Sequence, residues 1–334
     1  MNIRTIAYAE FRVEDVPKAA DQLVSGFGFR QTEDVVAGSG ALLVHGGVRL
    51  VLLPAAESGG SAADYVVRHG DGVSAIAVVC DDPRAALAEA GARGARVLSD
   101  ADCVIEVFDD FALRFVGPGD PLLAPRPAPD GPEGPEGRFE AIDHFALCVP
   151  AGAMAPTVEF CEKVLGLRRI FGDFIEVGAQ AMDSVVVQSE SGEVTFTLLE
   201  PCTEREPGQI DAFLAAHGGP GVQHVALRTG DIASAVRGLG ARGVQFLTTP
   251  AAYYDELNRR LGQTGLPIEV LRELHVLVDQ DHGGRLFQIF TRSVHPRGTY
   301  FFELIERRGA SSFGTANITA LYEAIERQQA ASDH

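Results

Sequence analysis

Positive charge is scarce in this chain: 28 lysines and arginines stand against 46 aspartates and glutamates, a formal net charge of -18. Phosphate recognition needs a basic footprint, so nucleic-acid binding is excluded and anionic membrane surfaces are disfavoured. Long apolar runs are missing too. The amino-terminal stretch MNIRTIAYAEFRVED meets an acidic residue at Glu10 and offers neither the apolar core of a signal peptide nor a spanning helix, so a cytoplasmic location is expected. The five cysteines (Cys80, Cys103, Cys148, Cys161, Cys202) are scattered, odd in number and without C-x-x-C spacing, which excludes a disulfide framework and a thiolate zinc site. No G-x-S-x-G or P-loop occurs, and the one G-x-G-x-x-G match, Gly238 to Gly243, closes a helical stretch instead of following a strand. Hydrolase and nucleotide-binding readings therefore lose their motifs. What is present is 334 residues, 46% of them hydrophobic, enough to bury two medium-sized cores.

Between Gly117 and Arg138 the sequence is GPGDPLLAPRPAPDGPEGPEGR, in which proline removes backbone donors and glycine adds freedom. It reads as a linker (117–138) between domains at 1–116 and 139–334. The two sides repeat one another. Residues 6–13, followed by a helical stretch from about Val16 that ends in GFGFR, parallel residues 142–149, followed by PTVEFCEKVLGLRR; residues 69–99 line up with 217–248. Each unit is a short apolar strand, an Asp-containing turn and an alanine-rich helix closed by a glycine such as Gly94 or Gly243, with further β-runs behind it. The expected fold is α+β, with two domains each built from paired βαβββ modules whose sheet curls into an open barrel with helices outside.

Comparing the repeats isolates residues that one copy alone possesses. His144 falls opposite Tyr8, His224 opposite Ala75, and Glu303, on the strand starting at Tyr300, opposite Leu113. A requirement of the fold would have kept similar residues in both copies, so the three belong to something that the second half alone does. An ionised carboxylate on an apolar strand face is costly unless a cation compensates it. Two imidazoles and one carboxylate on three separate strands match the facial set that suits non-haem Fe(II), with positions left open for a bidentate 2-oxo acid and dioxygen. A single strand histidine is otherwise a hydrogen-bonded core or rim residue, and only the joint loss of all three positions in the first half argues against that here. The other histidines form no such set. His69 and His217 sit at matching helix ends, where a cation satisfies terminal carbonyls; His282 and His295 read as surface loop residues, and His45, His275 and His334 offer no constellation.

The segments DHFALCVP, GVQHVALRTGDI, RGVQFLTTPAAYYDEL, LFQIFT, FFELIERRG and FGTANITALYEAIE together resemble the 4-hydroxyphenylpyruvate dioxygenase family of the vicinal oxygen chelate superfamily, densely over the second half and weakly over the first. That resemblance implies Fe(II) as cofactor on His144, His224 and Glu303, with a small-molecule 2-oxo acid and O2 as partners and a homo-oligomer, dimer or tetramer, as the assembly. It also implies that Ser184, Thr197, Gln209 and Gln288 hydrogen-bond the substrate's phenol or carboxylate, and that Phe290 and Phe301 form aromatic walls. Ile318 and Tyr322 would reach the substrate from the last helix, and Gln288 and Ile318 are the candidate catalytic residues. This helix, roughly 318 to 329, carries a one-sided apolar stripe at 318, 321, 322 and 325 and reads as a lid over the cavity mouth.

The family holds two chemistries on one substrate. Members that form homogentisate carry G-N-F-x-x-L-F on the last helix and a Leu-Pro-Ile-Asn-Glu-Pro strand; this chain has ANITALY at 316–322 and TLLEP at 197–201. These departures resemble the branch that hydroxylates the benzylic carbon to give 4-hydroxymandelate and CO2. A phenylalanine at 318 would crowd the ring toward attack on its C1, whereas Ile318 lets the ring swing and present its benzylic hydrogen. About an ångström of misplacement is worth orders of magnitude in rate. Homogentisate formation at the same site and a non-catalytic small-molecule-binding protein are the alternatives.

Overall fold

A computed structural model of the chain describes residues 1–32, 39–55, 61–124, 138–314, 317 and 319. The first half runs β1 (Ile3–Val13), α1 (Val16–Phe27), β2 (Arg30–Gln31), β3 (Ala41–His45), β4 (Val48–Pro54), α2 (Ser61–His69), β5 (Gly72–Cys80), α3 (Pro83–Ala92), β6 (Val97–Ser99), β7 (Val104–Phe108) and β8 (Phe111–Val116). The second half repeats it with β9 (Phe139–Cys148), α4 (Met154–Lys163), β10 (Arg168–Val177), β11 (Gln180–Gln188), β12 (Thr195–Pro201), α5 (Gln209–His217), β13 (Gly221–Thr229) and α6 (Ile232–Ala241). It then inserts α7 (Ala251–Leu261) and α8 (Ile268–Glu273) before β14 (Leu277–Gln280), β15 (Arg285–Phe290) and β16 (Phe301–Arg308). These are four βαβββ modules, two to each half, and the last carries an α7–α8 insertion that its counterpart in the first half lacks among the described residues.

The Asp-containing turns are helix N-caps: the side chains of Asp15, Asp82 and Asp231 accept from the amides of Lys18, Ala85 and Ser234, three residues on. Each half forms one eight-stranded sheet, ordered β2-β3-β4-β1-β5-β8-β7-β6 and β10-β11-β12-β9-β13-β16-β15-β14. The opening strands of the paired modules lie antiparallel at the centre, β1 on β5 and β9 on β13, and each has the last strand of its own module parallel on the other side. Alternation sends Phe145 and Leu147 into a core that the two halves share with Phe11, Phe139 and Phe302, and sends Ala146 and Cys148 into the hollow of their own sheet with Phe290 and Phe301. Burial on both faces is why these strands read as near-continuous apolar runs.

The halves meet over rings, with Phe27 at 4.8 Å from Phe302 and Phe11 at 5.5 Å from Tyr300. The β3–β4 turn presses directly on β9: Gly47 donates its amide to the Phe139 carbonyl at 3.0 Å. At Gly46, with φ +57°, a Cβ would lie 1.9 Å from that same oxygen, so this turn requires glycine. His69 meets a helix-end carbonyl as expected, its Nδ1 lying 2.7 Å from the His217 carbonyl, whereas His217 departs from the expectation in charge. Their rings stack across the junction at 4.3 Å, and burial first, then the nearness of His69, lowers the pKa of His217 to about 4. His217 is therefore neutral: its Nδ1 lies 3.0 Å from the Gly219 carbonyl, so it meets a carbonyl as expected but as an uncharged ring and not as a cation. His295 is also more than a surface residue, because its Nε2 accepts from the Asp71 amide at 3.2 Å and ties the halves together. No helix among the described residues is long and apolar enough to cross a membrane.

Candidate metal centre

Strand register assembles the site. Thr197 pairs with Ala146, Ala146 with His224, and His224 with Phe301; one step along, His144 pairs with Ala226, Ala226 with Glu303, and Glu303 with Phe290. Directly paired residues share a face, so the imidazoles, the carboxylate and the aromatic rings all project into the hollow of the second sheet. Ser184 joins them through its pairing with Leu199, and Gln288 through Ile305.

Glu303 Oε2 lies 3.3 Å from the Nε2 atoms of both His144 and His224. One ligand atom from each residue falls within 4.8 Å of the others, and all three side chains are buried. The surroundings hold them in place. His144 Nδ1 lies 3.0 Å from Asp143 Oδ1, and Arg307 donates through Nε and Nη2 to the two Asp143 oxygens at 2.9 Å each. Gln288 Nε2 donates to Glu303 Oε1 at 2.7 Å. Phe301 stacks on His224 at 5.1 Å, and Phe313 stands edge-on to His144 at 5.3 Å.

The electrostatics follow from burial in opposition to these partners. Burial alone would raise the pKa of Glu303, but the two imidazoles outweigh it and hold the carboxyl down to about 2. Burial lowers His224; in His144 the Glu303 charge and the Asp143 hydrogen bond overcome the same effect and raise the ring to about 9. Burial works against ionisation of Asp143 as well, yet its bonds from His144 and Arg307 leave it well below the usual carboxylate range. A buried carboxylate facing two imidazole nitrogens, with Nδ1 of one ring held by a second carboxylate, is a donor set that could hold a divalent metal. A second observation points to a ligand: Thr197 Oγ1, in the row beside Ala146 and His224, is buried without a hydrogen-bond partner among the described residues. A cavity of about 480 Å³ opens beside the centre, with Asp143, Gln188, Thr195, Arg307 and Phe313 in its walls.

Of the remaining candidates, Gln209 comes from α5 and not from a strand, beside Ile210, which packs in the same apolar cluster as Ala146, Phe290 and Phe301. Gln209 opens this helix and lines a small cavity beside Ile175, Met182 and Pro201. Ile318, Tyr322 and the lid helix fall outside the described residues. Asp143, Arg307, Phe313 and Asn317 are not among the candidate site residues of the sequence, although all four lie in the quoted segments; Asp143 carries a further signal as a carboxylate adjoining a candidate ligand.

The first half corrects one pairing. Ala77 pairs with Arg114 as Ala226 pairs with Glu303, so the counterpart of Glu303 is Arg114 and not Leu113. Arg114 donates to the buried Glu10 at 2.6 Å, beside Tyr8, and Leu122 and Leu123 pack into the same hollow. In this copy a guanidinium takes the place of the candidate metal ligands.

Two curled sheets of paired modules, with a metal-type triad in one of them, define a class. Residues 143–260 and 5–102 each match a model of the Glyoxalase/Bleomycin resistance protein/Dioxygenase superfamily. Two relatives named 4-hydroxyphenylpyruvate dioxygenase are similar along most of the chain. The one from Danio rerio is 33% identical over 80% of this chain and 74% of its own; the one from Caenorhabditis briggsae is 34% identical over 80% and 75%. The solved structure of a triple mutant of 4-hydroxymandelate synthase from Streptomyces coelicolor superposes with a TM-score of 0.87 at 41% identity, covering 98% of this chain and 100% of that one. The chain belongs to the 4-hydroxyphenylpyruvate dioxygenase family.

Proposed function

We propose that this chain decarboxylates 4-hydroxyphenylpyruvate oxidatively and hydroxylates its benzylic carbon, so that the 2-oxo acid and O2 become 4-hydroxymandelate and CO2. The observation that carries the chemistry is the convergence of His144, His224 and Glu303 within 4.8 Å in a buried hollow. These three residues would hold Fe(II), which when bound supplies the electrons and open positions that 2-oxo acid and dioxygen chemistry needs. The protein's part is orientation and exclusion of water. Phe290 and Phe301 wall the hollow on the side of His224. Thr197 Oγ1 offers a buried hydroxyl without a partner among the described residues, suited to a substrate oxygen, and Ser184 lies on the same face. The first half (1–116) serves as scaffold, and the second (139–334) as the catalytic domain.

The benzylic outcome is supported by Ile318 and Thr197, where homogentisate-forming relatives carry phenylalanine and proline, and by the likeness to the synthase structure. The names of the two relatives described above favour homogentisate as the second reading. Incubation with Fe(II), O2 and 4-hydroxyphenylpyruvate, followed by product identification by mass and chirality, separates them: homogentisate sinks the benzylic assignment, and no oxygen uptake with any 2-oxo acid supports a binding protein. Ile318→Phe is expected to divert part of the product toward ring hydroxylation, and an unchanged product mixture removes residue 318 from the reasoning. A cytoplasmic homo-oligomer belongs to the same proposal, its assembly checked by light scattering.

A further inference from the structure

A one-way chain of hydrogen bonds begins on a cation and ends on Glu303. Arg260 Nη2 donates to the Tyr253 hydroxyl at 3.0 Å, and that hydroxyl donates to Asn317 Oδ1 at 2.9 Å. Asn317 Nδ2 then donates to Gln288 Oε1 at 2.8 Å, and Gln288 Nε2 to Glu303 Oε1 at 2.7 Å. The phenol oxygen also accepts from the Val278 amide at 2.8 Å, and the Val278 carbonyl, 2.9 Å from the phenol, has an N–H from Arg260 at 2.8 Å as well; Asn317 Oδ1 can only accept, so its bond to the phenol takes the phenol's proton. The direction is forced from both ends. A carboxylate only accepts, so Gln288 turns its NH2 toward Glu303 and its oxygen toward Asn317, which does the same in turn; a guanidinium only donates, so the far end agrees. Aligned bonds in buried surroundings polarise one another, and Gln288 and Asn317 are both buried. The backbone makes room for the middle link. Gly314 has φ +67°, and a Cβ there would sit 2.6 Å from Gln288 Oε1 and 3.2 Å from Asn317 Nδ2.

We propose that Asn317 and Tyr253 are positioning residues that, through Gln288, occupy Glu303 Oε1 and leave Oε2 as the single ligand oxygen facing His144 and His224. The insertion that distinguishes the fourth module thus acts on the centre without touching it, and Asn317 is tied to the same carboxylate. This inference rests on the triad's binding a metal.

The test is Co(II) titration of the purified full chain, followed by calorimetry and visible absorption, with thermal melting of the metal-free protein alongside. Tyr253→Phe and Asn317→Ala are each expected to weaken Co(II) binding about tenfold to a hundredfold and to shift the bound ion's absorption. Asn317→Asp, which cannot donate to Gln288, is expected to be at least as weak as Asn317→Ala. The double variant is expected to be no weaker than the poorer single one, because both interrupt one chain. Tyr254→Phe, next on the same helix and outside the chain, is expected to bind as wild type does. Tyr253→Phe removes one atom remote from the triad and keeps the test readable should Asn317→Ala fail to fold. Variants that melt earlier but bind Co(II) within about twofold of wild type, or whose losses add, overturn the inference and leave the metal reading standing. Failure of the wild-type chain to bind Co(II) overturns both.

Discussion

Replacing Arg307 by methionine measures what the support behind His144 is worth. The guanidinium forks onto Asp143 at 2.9 Å, donates to the Ser312 carbonyl at 2.7 Å and lies over the Phe313 ring at 4.9 Å. Methionine keeps much of the apolar stem and removes the charge. Asp143 is then left buried with His144 as its one strong partner, and removing one member of a buried pair costs about 3–5 kcal/mol. At about 2.1 cal/mol/K per residue, cooperative unfolding of 334 residues carries an entropy of about 0.7 kcal/mol/K. The metal-free protein is therefore expected to melt about 4–7 °C lower, read by scanning calorimetry. The double variant Asp143→Leu, Arg307→Met removes both charges and is expected to recover to within about 2 kcal/mol of wild type, because a buried pair and an apolar pair of similar volume are nearly equivalent. Metal affinity should stay reduced in both, since neither retains the carboxylate–guanidinium unit that orients His144. A single variant that melts within about 1 °C of wild type, or a double variant no more stable than the single one, refutes the reasoning.

Acid should weaken the junction between the halves. The unfolded chain takes up a proton near pH 6.5 that His217 refuses in the folded state until about pH 4. The stability this buried ring contributes is complete above about 6.5 and falls by up to about 3 kcal/mol as the pH drops through that window. Melting temperatures across the window check it; His217→Phe should flatten the curve, and a wild-type curve already as flat as the variant's counts against the claim. Two glycine-to-alanine changes should act in opposite directions. Gly238→Ala, in α6 with open space around the new methyl group, should stabilise by about 0.5–1 kcal/mol, whereas Gly46→Ala, forced onto the Phe139 carbonyl, should lower the melting temperature by several degrees.

The triad was legible because the sequence contains its own control. His144 and His224 stand out against Tyr8 and Ala75, and the observed strand pairings preserve both correspondences. Glu303 stood out as well, but its partner was misplaced by one residue. Strands that are apolar on both faces give no phase to align, and the register of β8 is fixed by pairing with β5, which no local pattern records. The same blindness hid Asn317 and Tyr253, whose meeting depends on an insertion that the repeat does not contain. The charge of His217 was misread for a different reason: proximity to a helix end suggested a cation, whereas burial at the junction, with His69 of the other half stacked on it, keeps the ring neutral.

Each hollow contains a buried carboxylate, and each neutralises it differently. Glu10 is matched by the Arg114 guanidinium, while Glu303 faces two imidazoles whose Nε2 atoms lie 3.3 Å away. Register therefore specifies a transplant: Tyr8→His, Ala75→His and Arg114→Glu reproduce the triad in the first half. That variant sets the new carboxylate beside Glu10, two anionic groups that have lost the Arg114 guanidinium, and is expected to fold poorly. Adding Glu10→Ala, to match Ala146, removes the conflict and should allow a second Co(II) to bind. The new site should be about ten to a hundred times weaker than the original, because Ala7 stands where Asp143 supports His144 and the turn carrying Leu122 and Leu123 still fills the hollow. Equal affinities at the two sites would show that three ligands on a curled sheet suffice, and that the charges and hydrogen bonds behind them add nothing to the grip on the metal.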